Sequence, residues 1–220
     1  DDGEAEVFAE SVSGLNEVPV RKFINGIRSS MDFYAHFRNL LGTLYDKYDF
    51  GNLVKVTDEN AWDMARFLAN RGLCGSEGMN VSRNLMLNRY FGMYMRERHP
   101  GNHCYSYLWT HQLPCPQEDK GTPLDPANTL AWHSTELWFT FASLREGIPP
   151  HRPWREIDYR LADIISTYWA NFIKTGNPNE EGLPWWPESG ADYGYMELGD
   201  TCSGHQGIDG ELEQLILEFV

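Results

Sequence analysis

Residues 130–141 read Leu130-Ala131-Trp132-His133-Ser134-Thr135-Glu136-Leu137-Trp138-Phe139-Thr140-Phe141. A histidine follows a proline-bearing stretch, an acidic residue lies three positions later, and an apolar, helix-like run comes after it. Taken alone, such a histidine reads as a surface or capping residue. Imidazole is also the side chain whose unperturbed proton affinity lies nearest neutrality, which suits it to general-base work. The segments on either side decide between these readings.

Upstream, Tyr105-Ser106-Tyr107-Leu108-Trp109 alternates large rings with smaller residues, as a strand does. Gln112–Asn128, between that strand and the histidine, carries prolines without periodicity and reads as a loop. Downstream, Trp154, Ile157, Leu161, Ile164, Ile165, Tyr168 and Phe172 recur at helical spacing and predict a helix over Pro153–Lys174. Thr175-Gly176-Asn177-Pro178 ends it. Farther out, Glu6–Ser13 reads as a strand ended by Gly14. Ser29–Tyr45 reads as a helix opened by a Ser29/Asp32 capping box. Thr57–Arg71 and Asn80–Arg98 read as two more helices, Gly182–Gly210 as loop, and Glu211–Val220 as a short amphipathic helix. Two strands among so many helices do not make an independently stable sheet. The expectation is therefore an α/β chain, 1–220, forming the later, incomplete part of a single larger domain whose central strands lie upstream.

Composition narrows the class. The 220 residues are 41% hydrophobic, 14% aromatic and 23% charged, enough for a sizeable core. No apolar run approaches the roughly 18–20 residues that a membrane-spanning helix needs. A net charge of −14 disfavours nucleic acid and anionic membrane as partners, since both are bound through basic patches. Cys74, Cys104, Cys115 and Cys202 follow no metal-ligand spacing. They allow two disulfides outside the cell or four thiols inside it, so a secreted and a cytoplasmic location both stay open, as does the oligomeric state.

His133-Ser134-Thr135-Glu136-Leu137-Trp138-Phe139-Thr140-Phe141 resembles the His-Gly-x-Glu-(Leu/Ile)-x-Phe-x-Phe segment of the type B carboxylesterase/lipase family, which includes the cholinesterases. Ser134 stands where that family usually has Gly. The run Ile164 to Asn179, Ile-Ile-Ser-Thr-Tyr-Trp-Ala-Asn-Phe-Ile-Lys-Thr-Gly-Asn-Pro-Asn, is similar to the family's "YW-x-NF-x-x-TG-x-PN" helix and stop, and Trp185-Trp186-Pro187 matches the Trp-Pro that follows. The resemblance covers most of the chain from about residue 5 to 188. It implies the C-terminal portion of an α/β-hydrolase fold with few sheet strands and many surrounding helices. It further implies a serine esterase with a Ser–His–Glu triad acting on small carboxylic esters without a cofactor or metal.

By resemblance His133 is the base. It takes the proton of a serine hydroxyl and returns it to the leaving alcohol, while a carboxylate holds the imidazole tautomer. The acid belongs just past a strand. Glu17 follows the Glu6–Ser13 strand and Gly14, although Val18 stands where Gly is usual; an alternative alignment uses Asp2 or Glu4. The nucleophile elbow requires Gly-x-Ser-x-Gly, because the strained turn leaves little room on either flank. The only glycines four apart are Gly190 and Gly194, and Asp192 lies between them. In the family's chain order the serine and the oxyanion loop precede the acid, so both are expected upstream of residue 1.

Other signals carry less. His99, His103 and His111 surround one strand and are expected at the surface. Glu136 reads as a local hydrogen-bonding partner. Trp132, Trp138, Trp185 and Trp186 read as core rather than pocket lining. Asn80-Val81-Ser82 is an acceptor triplet that equally suits a helix cap. A second functional reading is a non-catalytic binding or adhesion member of the same fold. The third is an unrelated α+β domain.

Overall fold

A computed structural model describes residues 23–69, 71–74, 90–122, 124–129, 131, 134–147, 151–190, 194–206 and 210–219. They fall into two compact units, one from 90–206 and the other from 23–74 with 210–219. The Glu6–Ser13 strand and the first part of the Asn80–Arg98 helix lie outside the described residues; 90–98 is helical.

The smaller unit is built on aromatic helices. Helix α1 (Ser30–Leu41) starts at Ser29, whose hydroxyl accepts from the Asp32 backbone N–H at 3.2 Å, as the capping pattern predicts. The helix expected to run to Tyr45 breaks at Gly42, whose φ of 55° is a conformation glycine adopts without steric cost. Helices α2 (Thr43–Lys47) and α3 (Phe50–Leu53) follow. The Phe33, Phe37 and Phe50 rings pack with centroids 4.6–6.0 Å apart and are fully buried. Helix α4 (Ala61–Ala69) begins later than Thr57 because the Thr57 N–H is bound by the Asn60 side chain at 2.8 Å, in a turn ahead of the helix.

The larger unit holds the sheet. Strand β1 (Tyr107–Trp109) precedes a 3₁₀ turn at Gln117–Asp119 and the short helices α5 (Pro126–Thr129) and α6 (Leu137–Thr140). Helix α7 (Glu156–Thr175) is the long one. It is followed by strands β2 (Tyr195–Leu198) and β3 (Cys202–His205), and α8 (Gly210–Phe219) belongs to the smaller unit. The sheet order is β1-β2-β3. Strand β1 is parallel to β2 with Tyr107 opposite Met196, and β2 is antiparallel to β3 with Leu198 opposite Cys202. The described residues thus form the few-stranded, helix-rich α/β arrangement expected.

Strands β2 and β3 correct the reading of Gly182–Gly210 as loop. Each strand has four residues, too few for periodicity to stand out among glycines and prolines. The hairpin signal was there: Gly199-Asp200 sits in the connection between the paired Leu198 and Cys202.

Helix α7 ends as its sequence predicts. Gly176 adopts a left-handed φ of 75° and its N–H returns to the Phe172 carbonyl at 2.8 Å. Asn179 then grips Trp186 by both backbone groups, accepting from its N–H at 2.7 Å and donating to its carbonyl at 2.9 Å. That seats the Trp186 indole among Tyr105, Tyr107, Tyr168 and Trp169, with its N–H on the Ser106 carbonyl at 3.0 Å. Trp186 is core, as expected of it, whereas Trp185 is exposed. Ile165 is fully buried on α7 and Ile173 on the same helix is 79% exposed. Ile165→Ala is expected to cost about 2–5 kcal/mol and Ile173→Ala no more than about 0.5 kcal/mol in urea unfolding, because only the first leaves a cavity.

Candidate functional site

His133 and Glu17, and the alternatives Asp2 and Glu4, lie outside the described residues, as does Trp132. The structure does describe the turn that follows His133 and the strand against which it rests.

Ser134 has φ of 66°, in the left-handed region that L-residues other than Asn and Asp seldom enter. This gives a physical reason for glycine at the corresponding family position. From Ser134 the chain winds directly into α6. The Leu137 N–H donates to the Ser134 carbonyl at 3.2 Å, and the Phe139 and Thr140 N–H groups donate to the Glu136 carbonyl at 3.0 and 2.8 Å. The helix-like apolar run read after the histidine is therefore present, with Phe139 buried and Phe141 exposed.

Two alternate residues of β1 reach this turn. A strand sends residues i and i+2 to one face, so Tyr107 and Trp109 point the same way. The Trp109 indole N–H donates to the buried Thr135 hydroxyl at 2.7 Å. The Glu136 carboxylate lies close enough to the Tyr107 hydroxyl for its charge to act on it. Burial first, then the neighbouring Glu136 charge, push the Tyr107 hydroxyl up to about 12.

The third member of the alternation, His111, corrects the expectation of a surface residue. His99 and His103 are exposed, but His111 is 1% exposed. Its Nδ1 lies 2.6 Å from Asp200 in the β2–β3 connection and its Nε2 lies 2.7 Å from Asp158 in the first turn of α7. Arg155, at the start of α7, encloses Asp158 through its backbone N–H at 2.6 Å and its guanidinium at 2.9 Å, and donates to the Gln112 carbonyl at 3.1 Å. The Trp109 and Phe139 rings lie 5.5 and 5.1 Å from the imidazole. The signal for this burial was in the sequence, because His111 continues the odd-numbered face of Tyr107 and Trp109.

An imidazole flanked by two acids looks like acid–base machinery, yet both ring nitrogens are occupied and the ring is sealed from solvent. It has no free lone pair to accept a proton from a serine, so its role is to join three segments. Among the described residues no His/Cys/Asp/Glu cluster could hold a metal ion. None of the four cysteines is in a disulfide.

Burial alone would raise the Asp158 carboxyl, but hydrogen bonds from His111 and Arg155 outweigh it and hold the group well below the usual carboxylate range. A depressed folded-state value adds stability that is complete above the unfolded value near about 4 and is lost as pH falls through the folded value. Asp158→Asn is expected to cost on the order of 3–5 kcal/mol at neutral pH and to flatten the loss of stability below about pH 4. Thermal unfolding across a pH series measures both. At the turn, Ser134→Gly is expected to raise the unfolding midpoint by relieving about 1 kcal/mol, and Ser134→Val to lower it by at least as much.

A family model described as the carboxylesterase family matches residues 80–214, more than half of the chain. Carboxylesterase 1C of Mus musculus is 37% identical over 81 residues, 36% of this chain and 14% of that protein. Liver carboxylesterase 1 of Mus musculus is 32% identical over 119 residues, 53% of this chain and 19% of that protein. The chain thus matches less than a fifth of these relatives' length. A solved esterase from anaerobic Clostridium hathewayi aligns with a TM-score of 0.46 at 20% identity, covering 91% of this chain and 32% of that one.

Proposed function

The chain belongs to the carboxylesterase family, and from that premise we propose that it is the C-terminal part of a serine hydrolase of carboxylic esters, supplying the base but not the nucleophile. His133 takes the serine proton as the hydroxyl attacks the ester carbonyl, then returns it to the departing alcohol. Glu17 holds the imidazole in the tautomer that leaves Nε2 free, and stabilises the imidazolium that forms. No Gly-x-Ser-x-Gly occurs in the 220 residues, so the nucleophile and the oxyanion donors come from other sequence. Those donors contribute roughly 3–4 kcal/mol each to the transition state, so the chain alone has little catalytic power.

The observation that carries this reading is the family match across the His133 segment. The turn geometry supports it: a left-handed residue directly after the histidine suits the position where the family has glycine. The buried His111, with a carboxylate at each ring nitrogen, is not placed for the base's work.

The test is hydrolysis of p-nitrophenyl esters by the 220-residue chain and by the same chain joined to its upstream coding sequence. Turnover is expected only from the extended protein, and His133→Ala is expected to lower it by about 10³-fold or more. Turnover by the short chain, or an extended His133→Ala protein that keeps its rate, would overturn the reading. If the upstream sequence carries another residue at the elbow serine, the binding-protein alternative takes its place.

A further inference from the structure

We propose that Trp109 and Thr135 are positioning residues for the general base: the indole-to-hydroxyl bond fixes the turn that directly follows His133 in the chain. The inference rests on the reading of His133 as the base and adds two residues that act through it.

Thr135 is two residues beyond His133 and is buried, with its hydroxyl 2.7 Å from the Trp109 indole N–H. Indole donates one hydrogen bond and accepts none, so the direction of this bond is fixed. Trp109 is in turn immobilised. It is the last residue of β1, paired with Leu198 on β2, and its ring packs on Phe139 at 5.1 Å and His111 at 5.5 Å. The turn therefore hangs from a sheet strand rather than from a neighbouring loop. Between Thr135 and the histidine stands only Ser134, held in a conformation that most L-residues avoid. A strained residue keeps its shape only where its surroundings over-determine it. On its C-terminal side, the Trp109-to-Thr135 bond and the Leu137-to-Ser134 backbone bond supply that constraint.

The chemistry makes such a constraint valuable. A base displaced by about 1 Å from the proton it abstracts can lose on the order of a hundredfold in rate. Trp109→Phe removes the donor and keeps most of the ring. Thr135→Val removes the acceptor and keeps the shape. Thr135→Ser restores the hydroxyl.

In the extended, ester-cleaving protein, Trp109→Phe and Thr135→Val are each expected to lower kcat by about ten- to a hundredfold with KM unchanged. The double variant is expected to be no worse than either single, and Thr135→Ser to recover the rate. A second readout needs no turnover: amide hydrogen exchange at residues 134–137 of the 220-residue chain is expected to quicken by about tenfold in the Phe and Val variants and not in the Ser variant. Unchanged exchange, or unchanged kcat in a protein that His133→Ala inactivates, would overturn the positioning role alone. A rate that survives His133→Ala, with exchange still quickened, would remove His133 as the base while leaving the bond's hold on the turn intact, and the two failures are thereby distinguished.

Discussion

The hydrogen bond from the Trp109 indole to the Thr135 hydroxyl joins a sheet strand to a turn, and the geometry after His133 depends on it. Helix α6 has four residues, too short to be stable by itself, and the residue that leads into it stands in a left-handed conformation. The strand has more support. It pairs with β2, and its rings lie in the cluster around Trp186, which Asn179 holds by both backbone groups. Order thus passes from the end of α7 through a tryptophan core to a three-residue strand, and from that strand to the turn.

The same strand ends in a buried charge cluster. His111, Asp158 and Arg155 are brought together at the start of α7, and Asp200 joins them from the β2–β3 connection. Isolated buried charges are costly, but here the Asp158 carboxylate takes hydrogen bonds from the imidazole, the guanidinium and a backbone N–H. Asp200 remains 68% exposed and keeps much of its hydration. The cluster contributes more through geometry than through net energy: it sets where the long loop toward His133 departs from the sheet. Arg152, on Pro114, and Arg155, on Gln112, hold the first residues of that loop from the α7 side.

Helix α7 was legible in the sequence because twenty residues of 3.6-fold periodicity and a Gly-Asn-Pro stop leave little ambiguity. The Ser29 cap and the C-terminal helix were legible for similar reasons, and the break at Gly42 was not, since the apolar stripe runs through it. Strands β2 and β3 were hidden because four-residue strands give no periodicity and their identity lies in what they pair with. The histidine turn was legible as a motif, yet nothing local reveals that Trp109, 26 positions earlier, is bound to Thr135. His111 looked like a surface residue because histidine usually is one. Its carboxylate partners lie 47 and 89 positions away, contacts that only the folded chain creates.

In the proposed mechanism a carboxylate near the amino terminus orients the His133 imidazole for proton transfer. The most direct measurement is the tautomer of that ring, read from nitrogen chemical shifts of the histidine-labelled chain at a pH where it is neutral. A hydrogen on Nδ1 and a free Nε2 are expected in the native chain, with that preference abolished in Glu17→Gln. A hydrogen resident on Nε2, or a tautomer indifferent to Glu17→Gln, Asp2→Asn and Glu4→Gln alike, would contradict it.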